Sequence, residues 1–251
     1  MDFSLKIYNQ LLSELQQAGY KFITFEEYCE GKRPEKFVIL RHDVDLRAGN
    51  SVATAKIENS LNVRASYYFR VVPQSNQPNK IKEIVALNHE IGYHYEDMSL
   101  FAGDHVKSIK HFEKQLKHFR QFYPVKTICM HGSPTSKYDN RDLWKTYNYR
   151  DFGIIGEPYF DIDFNKVFYL TDTGRCWDGD RFSVRDKVKS DFNQTYHSTQ
   201  DIINAAKDGS LPQQIMITTH PQRWTDNKLD WLLEFVMQNI KNFVKRMLVT
   251  S

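Results

Sequence analysis

The stretch KFVILRHDVDLR, from Lys36 to Arg47, sets four apolar residues, Phe37 to Leu40, just before His42, Asp43 and Asp45. Three other segments that read as strands end in similar groups. EIGYHY carries His94 and is followed by Glu96 and Asp97, KTICM is followed by His131, and QIMITT by His220. Imidazole nitrogen and carboxylate oxygen are ligands that a divalent ion such as zinc takes. Water on such an ion becomes acidic enough to act as a nucleophile near neutral pH. A neighbouring carboxylate can take the proton of that water, and an imidazole opposite can protonate the leaving group. Asp43 and Asp45 stand two apart, so on a strand they face one side; one can hold metal while the other moves protons. Taken singly, each residue has an ordinary explanation, because Asp after a strand often caps the next helix. Together, at four segment ends, they point to one site. His89, His105, His111, His118 and His197 fall on expected helices or loops and read as surface or packing residues, and Cys129 reads as core.

The elements that would position these groups alternate along the chain. Apolar Phe3, Ile7, Leu11, Leu12 and Leu15 recur at helical spacing up to Gly19. KFITF and VIL read as strands, residues 48–62 as a helix, RASYYFRV as a strand, and KIKEIVALN as a helix capped by Asn79. A long amphipathic helix is expected from Asp104, stopped by Pro124. RDLWKTY reads as a short helix, FGIIG as a strand, and residues 157–192 as an elaborated loop region with short strands VFYL and RFSV. Ser198 caps STQDIINAAKDG, and residues 226–248 form the last helix. Strand–helix alternation predicts a parallel sheet with crossovers. A (β/α) barrel is the preferred form of it, because there the C-terminal strand ends meet on one rim.

The 251 residues suit one domain of that size, and 41% apolar residues can fill its core. A net charge of +3 gives no argument for nucleic acid. Three scattered cysteines without a CxxC pair indicate neither a disulfide framework nor a cysteine zinc site. The charged N-terminal segment lacks a signal-peptide pattern, and no apolar run approaches the ~20 residues of a membrane span. A cytoplasmic protein is expected. The segment WLLEFVMQNIKNFVKRML carries Glu234, Lys241, Lys245 and Arg246, and is expected to be an amphipathic helix packed on its own protein.

These motifs resemble the polysaccharide deacetylase family, carbohydrate esterase family four, over about residues 20 to 225. LRHDVD resembles its first motif, NHEIGYH its second (GHEIGNH), and MITTHP its last. The resemblance implies a distorted (β/α) barrel of about seven strands, spanning residues 1–251 as one domain, and removal of N- or O-acetyl groups with a divalent metal, expected to be zinc. It also implies roles: Asp43 as catalytic base, Asp45 as metal ligand, His94 as metal histidine, His220 as general acid. Two positions depart from the family. The second metal histidine, four residues after the first, is Met98 here, and a thioether is a poor zinc ligand. The third motif, normally with Arg, reads MHGSPTSKYDN. His131 is the favoured replacement ligand, with Glu96 or Asp97 as alternatives. Near the expected fourth motif, LTDTGRCWDGDR offers Asp172, Arg175 and Trp177 as substrate-binding candidates.

The expected function is therefore a metal-dependent deacetylase acting on a carbohydrate or sugar precursor. The competing readings are a non-catalytic sugar-binding or assembly protein on a degenerate barrel, motivated by Met98, and a hydrolase of another linear amide or a formamide.

Overall fold

The computed structural model describes residues 1–178, 185 and 187–249, with side chains described up to Phe243. In chain order the elements are α1 (Leu5–Gln17), β1 (Lys21–Ile23), α2 (Phe25–Cys29), β2 (Phe37–Val44), α3 (Ala48–Ser60), β3 (Ser66–Phe69), α4 (Pro78–Ala86), β4 (Glu90–Tyr95), α5 (Asp97–Leu100) and α6 (His105–Phe119). Then come β5 (Ile128–Met130), α7 (Pro158–Asp161), β6 (Phe168–Thr171), α8 (Thr199–Asp208), β7 (Gln214–Thr219) and α9 (Lys228–Val249).

All strand pairs are parallel, in the order β5-β4-β3-β2-β7-β6. β1 pairs with residues 37–39 of β2, on the edge that β3 occupies from Arg41 onward, while β7 covers the other edge. Among the described residues the two ends of this path, β5 and β6, do not pair, so the barrel is left open. The sheet curls around its own small core. Phe37 and Ile39 face inward with Tyr68, Cys129, Phe164 and Met216. Val38, Leu40 and Val44 face outward into the larger core under the helices, with Leu12, Phe69, Ile91, Phe112 and Ile217. The period-two alternation of a strand thus sends odd-numbered residues of β2 to the inside of the curl.

Several local expectations change. β2 runs through His42 and Asp43 to Val44, because its last four residues still pair with β3. α4 starts at Pro78, with Gln77 as N-cap instead of Asn79; proline is pre-shaped for the first helical position. RDLWKTY forms a 3-10 helix over Asn140–Lys145, and FGIIG contributes only an isolated bridge between Thr127 and Gly156. Ser198 caps α8 in a capping box, as its spacing predicts. Most of RFSV lies outside the described residues. The last helix forms but is turned over. Its polar Gln238 and Asn242 are buried against the body, while Leu229, Leu233, Val236, Ile240 and Phe243 face outward. The body under it offers backbone carbonyls, and these take amide donors: Asn242 Nδ2 donates to Gly174 O at 2.8 Å.

Candidate metal centre

Four strands deliver the site at their C-terminal ends, on one rim of the open sheet. His94 is the fifth residue of β4, and its neighbour Tyr95 pairs with Met130. His131 follows β5 directly, and its N–H donates to Tyr95 O at 2.8 Å, which extends that ladder by one step. His220 follows β7, and its N–H donates to Asp172 Oδ2 at 3.0 Å. Asp43 lies inside β2. Asp45 lies just past it, where its N–H bonds Asp43 O at 3.1 Å in a three-residue turn. That turn, not strand alternation, brings both carboxylates to His94, with His94 Nε2 3.8 Å from Asp43 Oδ2 and 3.7 Å from Asp45 Oδ1.

Asp45 is the hub. Its Oδ1 lies 3.7 Å from His94 Nε2 and 3.5 Å from His131 Nε2, and its Oδ2 lies 3.9 Å from His220 Nε2. These distances are too long for hydrogen bonds. Oδ1 is buried and has no hydrogen-bond partner. A buried carboxylate oxygen without a partner is costly, and a cation among these atoms removes the cost. The spacing suits one. Tetrahedral ligands about 2.0–2.2 Å from zinc stand about 3.3–3.6 Å apart. Both imidazoles are also set for ligation, because their other nitrogens are occupied. His94 Nδ1 donates to Cys129 O at 3.0 Å, and His131 Nδ1 to Glu96 Oε2 at 2.9 Å. This is how metal-binding imidazoles are oriented.

The electrostatics agree. Burial pushes the His94 imidazolium down to about 4, against the pull of Asp43, so this ring is neutral and its Nε2 lone pair is available. Burial also acts to lower His131, but Asp45 and Glu96 outweigh it and raise it. For Asp45, burial acts upward and is overcome by His131, His220 and His94, which hold the carboxyl below its usual range.

Arg41 belongs to this cluster, and sequence reasoning did not single it out. Its Nε donates to Asp43 Oδ1 at 2.8 Å and its Nη2 to Asp43 Oδ2 at 2.5 Å, with both side chains buried. The signal was present: Arg41 precedes Asp43 by two on the same strand face. The guanidinium overcomes the upward push of burial and drives the Asp43 carboxyl far below its usual range. Asp43 also forms, with His94 and Cys129, a trio whose ligand atoms lie within 4.8 Å of one another. Its oxygens already carry Arg41, however, whereas Asp45 Oδ1 carries nothing, so Asp45 is the better ligand.

Asp172 sits behind His220 and is fully buried. It accepts from His220 Nδ1 at 2.6 Å, from Trp224 Nε1 at 2.9 Å, and from Arg223 Nη1. It therefore orients the His220 ring, with Nε2 toward Asp45. Arg175 and Trp177 do not join this cluster. Arg175 donates to Trp231 O at 2.8 Å and covers the Trp231 ring at 4.3 Å, under α9. Trp177 is buried beside Phe3 and Trp224, with its Nε1 on Thr199 Oγ1 at 3.0 Å. Met98 is also core. Asp97 binds His111 Nδ1 at 2.6 Å and Tyr93 Oη at 3.0 Å, away from the rim, and Glu96 forms a bidentate pair with Arg70 at 2.8 and 2.9 Å. His42, on the opposite face of β2, bonds Thr219 Oγ1 at 2.7 Å and Glu58 at 2.8 Å, and so ties β7 to β2 one residue before His220. Next to His131 opens a cleft of about 430 Å³, lined among others by Arg70, Ser133, Ser136, Lys137 and Tyr138.

No family model matches this sequence, and no curated protein matches it. Solved structures do. The chain is similar to a CE4 esterase of Streptococcus mutans, with a TM-score of 0.47 and 15% identity over 92% of this chain and 90% of that one. It is similar to Bacillus subtilis PdaA, a family 4 carbohydrate esterase, with a TM-score of 0.43 and 13% identity over 91% and 84% of the two chains. It is also similar to a CE4 family pseudoenzyme from Bacillus anthracis, with a TM-score of 0.44 and 15% identity, over 81% of this chain. This chain spans 60% of the length of that pseudoenzyme.

Proposed function

We propose that the protein is a metal-dependent hydrolase that removes an acetyl group, N- or O-linked, from a carbohydrate or sugar precursor inside the cell. The observation that carries this is the buried, unpartnered Asp45 Oδ1 between the Nε2 atoms of His94 and His131. These three residues would hold the ion, with zinc the best match to two nitrogens and one oxygen. A bound divalent ion supplies Lewis acidity, which acidifies water and polarises a carbonyl.

The chain's own groups do the rest. Asp43 Oδ2, 3.8 Å from His94 Nε2, flanks the place where water would be deprotonated. Arg41 occupies one direction at each Asp43 oxygen, which leaves lone pairs for a further proton or hydrogen bond. His220, held by Asp172 through Nδ1, turns Nε2 toward the same space and can give its proton to the departing amine or alkoxide. Arg70, Ser133 and Lys137 in the adjacent cleft offer donors suited to sugar hydroxyls.

One observation favours a second reading, a sugar-binding barrel without catalysis. The guanidinium on Asp43 makes that carboxylate a weak base. The two readings separate on acetate release from a panel of acetylated sugars. The hydrolase should release acetate, lose activity on chelation, and lose about 10²–10⁴-fold with Asp43→Asn. Glycan binding that is indifferent to chelators, with no acetate released, would establish the second reading.

A further inference from the structure

The helix α9 is built inside out. Its buried face is polar: Trp231 Nε1 donates to Asp2 O at 2.7 Å and Asn242 Nδ2 to Gly174 O on the body, and within the helix buried Gln238 donates to Asn242 Oδ1 at 2.8 Å. Its apolar residues face away. Leu229, Leu233, Val236, Ile240 and Phe243 are between 47% and 73% exposed. Their spacing is four, three, four, three, which is the alternation of a coiled-coil seam. Leu232 and Met237 widen the stripe on either side, each about half exposed.

We infer that this stripe is a homodimer interface, in which α9 of one copy packs antiparallel against α9 of a second copy. Three features favour a second copy as the occupant. A heptad seam asks for a partner helix of the same period, and an identical seam on a two-fold axis provides it. The helix is about 33 Å long. Its seven outward apolar side chains would bury roughly 700 Å² per copy, close to the ~800 Å² per partner of a standard stable interface. The charges along it are segregated. Asp230 and Glu234 lie in its first half, and Lys241 in its second. Antiparallel pairing sets acidic halves against basic ones and opposes the helix dipoles, while parallel pairing sets like against like. Lys228, at the first position, is the exception to this segregation.

The full chain should therefore run as a dimer in sedimentation equilibrium and light scattering. The double variant Leu233→Glu, Ile240→Glu should be a monomer with the parent's circular dichroism, because both positions face outward. If that variant misfolds, the exposed Val236→Lys serves the same purpose. For orientation, Leu229→Cys mixed with Phe243→Cys should give a disulfide-linked pair under mild oxidation. Leu229→Cys linking to itself would overturn the antiparallel arrangement. A parent that is monomeric at all concentrations would overturn the dimer. So would a monomer that sediments with phosphatidylserine vesicles and loses this on Leu233→Glu, Ile240→Glu, which would assign the stripe to a membrane surface.

Discussion

Asp43 carries the Arg41 guanidinium on both its oxygens, and that pair decides how the site titrates. Burial alone would raise the Asp43 carboxyl; Arg41 and His94 hold it down. Without Arg41 the push of burial remains, so Arg41→Gln should move the acid limb of the kcat/KM–pH profile to higher pH. An unmoved limb would mean that Asp43 is not the group titrating there. The pair also links stability to pH. The depressed carboxyl contributes stability above its unfolded value, and this is lost as pH falls through the folded value. Breaking the pair should cost about 3–5 kcal/mol, because a buried charge is left alone. Asp172 gives a second test. Asp172→Asn removes the anion that orients His220, so kcat should fall about 10²–10⁴-fold, as if the acid itself were lost. Metal content should not change, since Asp172 touches none of Asp45, His94 and His131. The cluster itself was legible in the sequence, because Asp43, Asp45, His94, His131 and His220 stand at strand ends, and the structure brings them together. The partners of these groups were not legible. Arg41 stands two residues before Asp43, but the expected strand stopped at Leu40, so their shared strand face was not read; the contacts of Asp172 span about fifty positions of chain.

The strands do the positioning, and β4 shows how tightly. At Gly92 an added Cβ would stand 2.3 Å from Tyr68 Cε1 and 2.9 Å from Thr127 O. Gly92→Ala should therefore force β3, β4 and the approach to β5 apart, at a cost of about 1–3 kcal/mol in denaturant unfolding, and loosen His94 two residues on. Unchanged stability would mean that Tyr68 can move aside. Behind β5, Glu157 is buried and accepts from Met130 N–H at 3.1 Å and Tyr159 N–H at 2.6 Å. Burial pushes its carboxyl up to about 7. A raised carboxyl contributes stability when protonated and loses it as pH rises through the folded value. Between about pH 4.5 and 7 the parent should lose stability relative to Glu157→Gln, as read from thermal unfolding across that range. Equal slopes for the two proteins would contradict the buried-acid account. At this scale the sequence was a good guide to strand existence, since EIGYHY and QIMITT carry the β-branched and aromatic residues that strands favour. It was a poorer guide to where strands stop, because β2 keeps pairing through polar His42 and Asp43.

Over the whole molecule, the site exists because a parallel curl directs the C-terminal ends of β2, β4, β5 and β7 to one rim. Strand–helix alternation is written in the sequence, so that convergence was foreseeable. The facing of α9 was not, since periodicity reveals that a helix has an apolar side but not what lies against it. If two copies share α9, the unfolding temperature should rise with protein concentration, and this dependence should vanish in Leu233→Glu, Ile240→Glu. The central claim is that Asp45, His94 and His131 hold a divalent metal. It is tested most directly by elemental analysis of the purified, tag-free protein beside its Asp45→Ala variant. A stoichiometric transition metal in the parent, lost in the variant, is the predicted result. No metal in either protein, even after incubation with zinc, would contradict it.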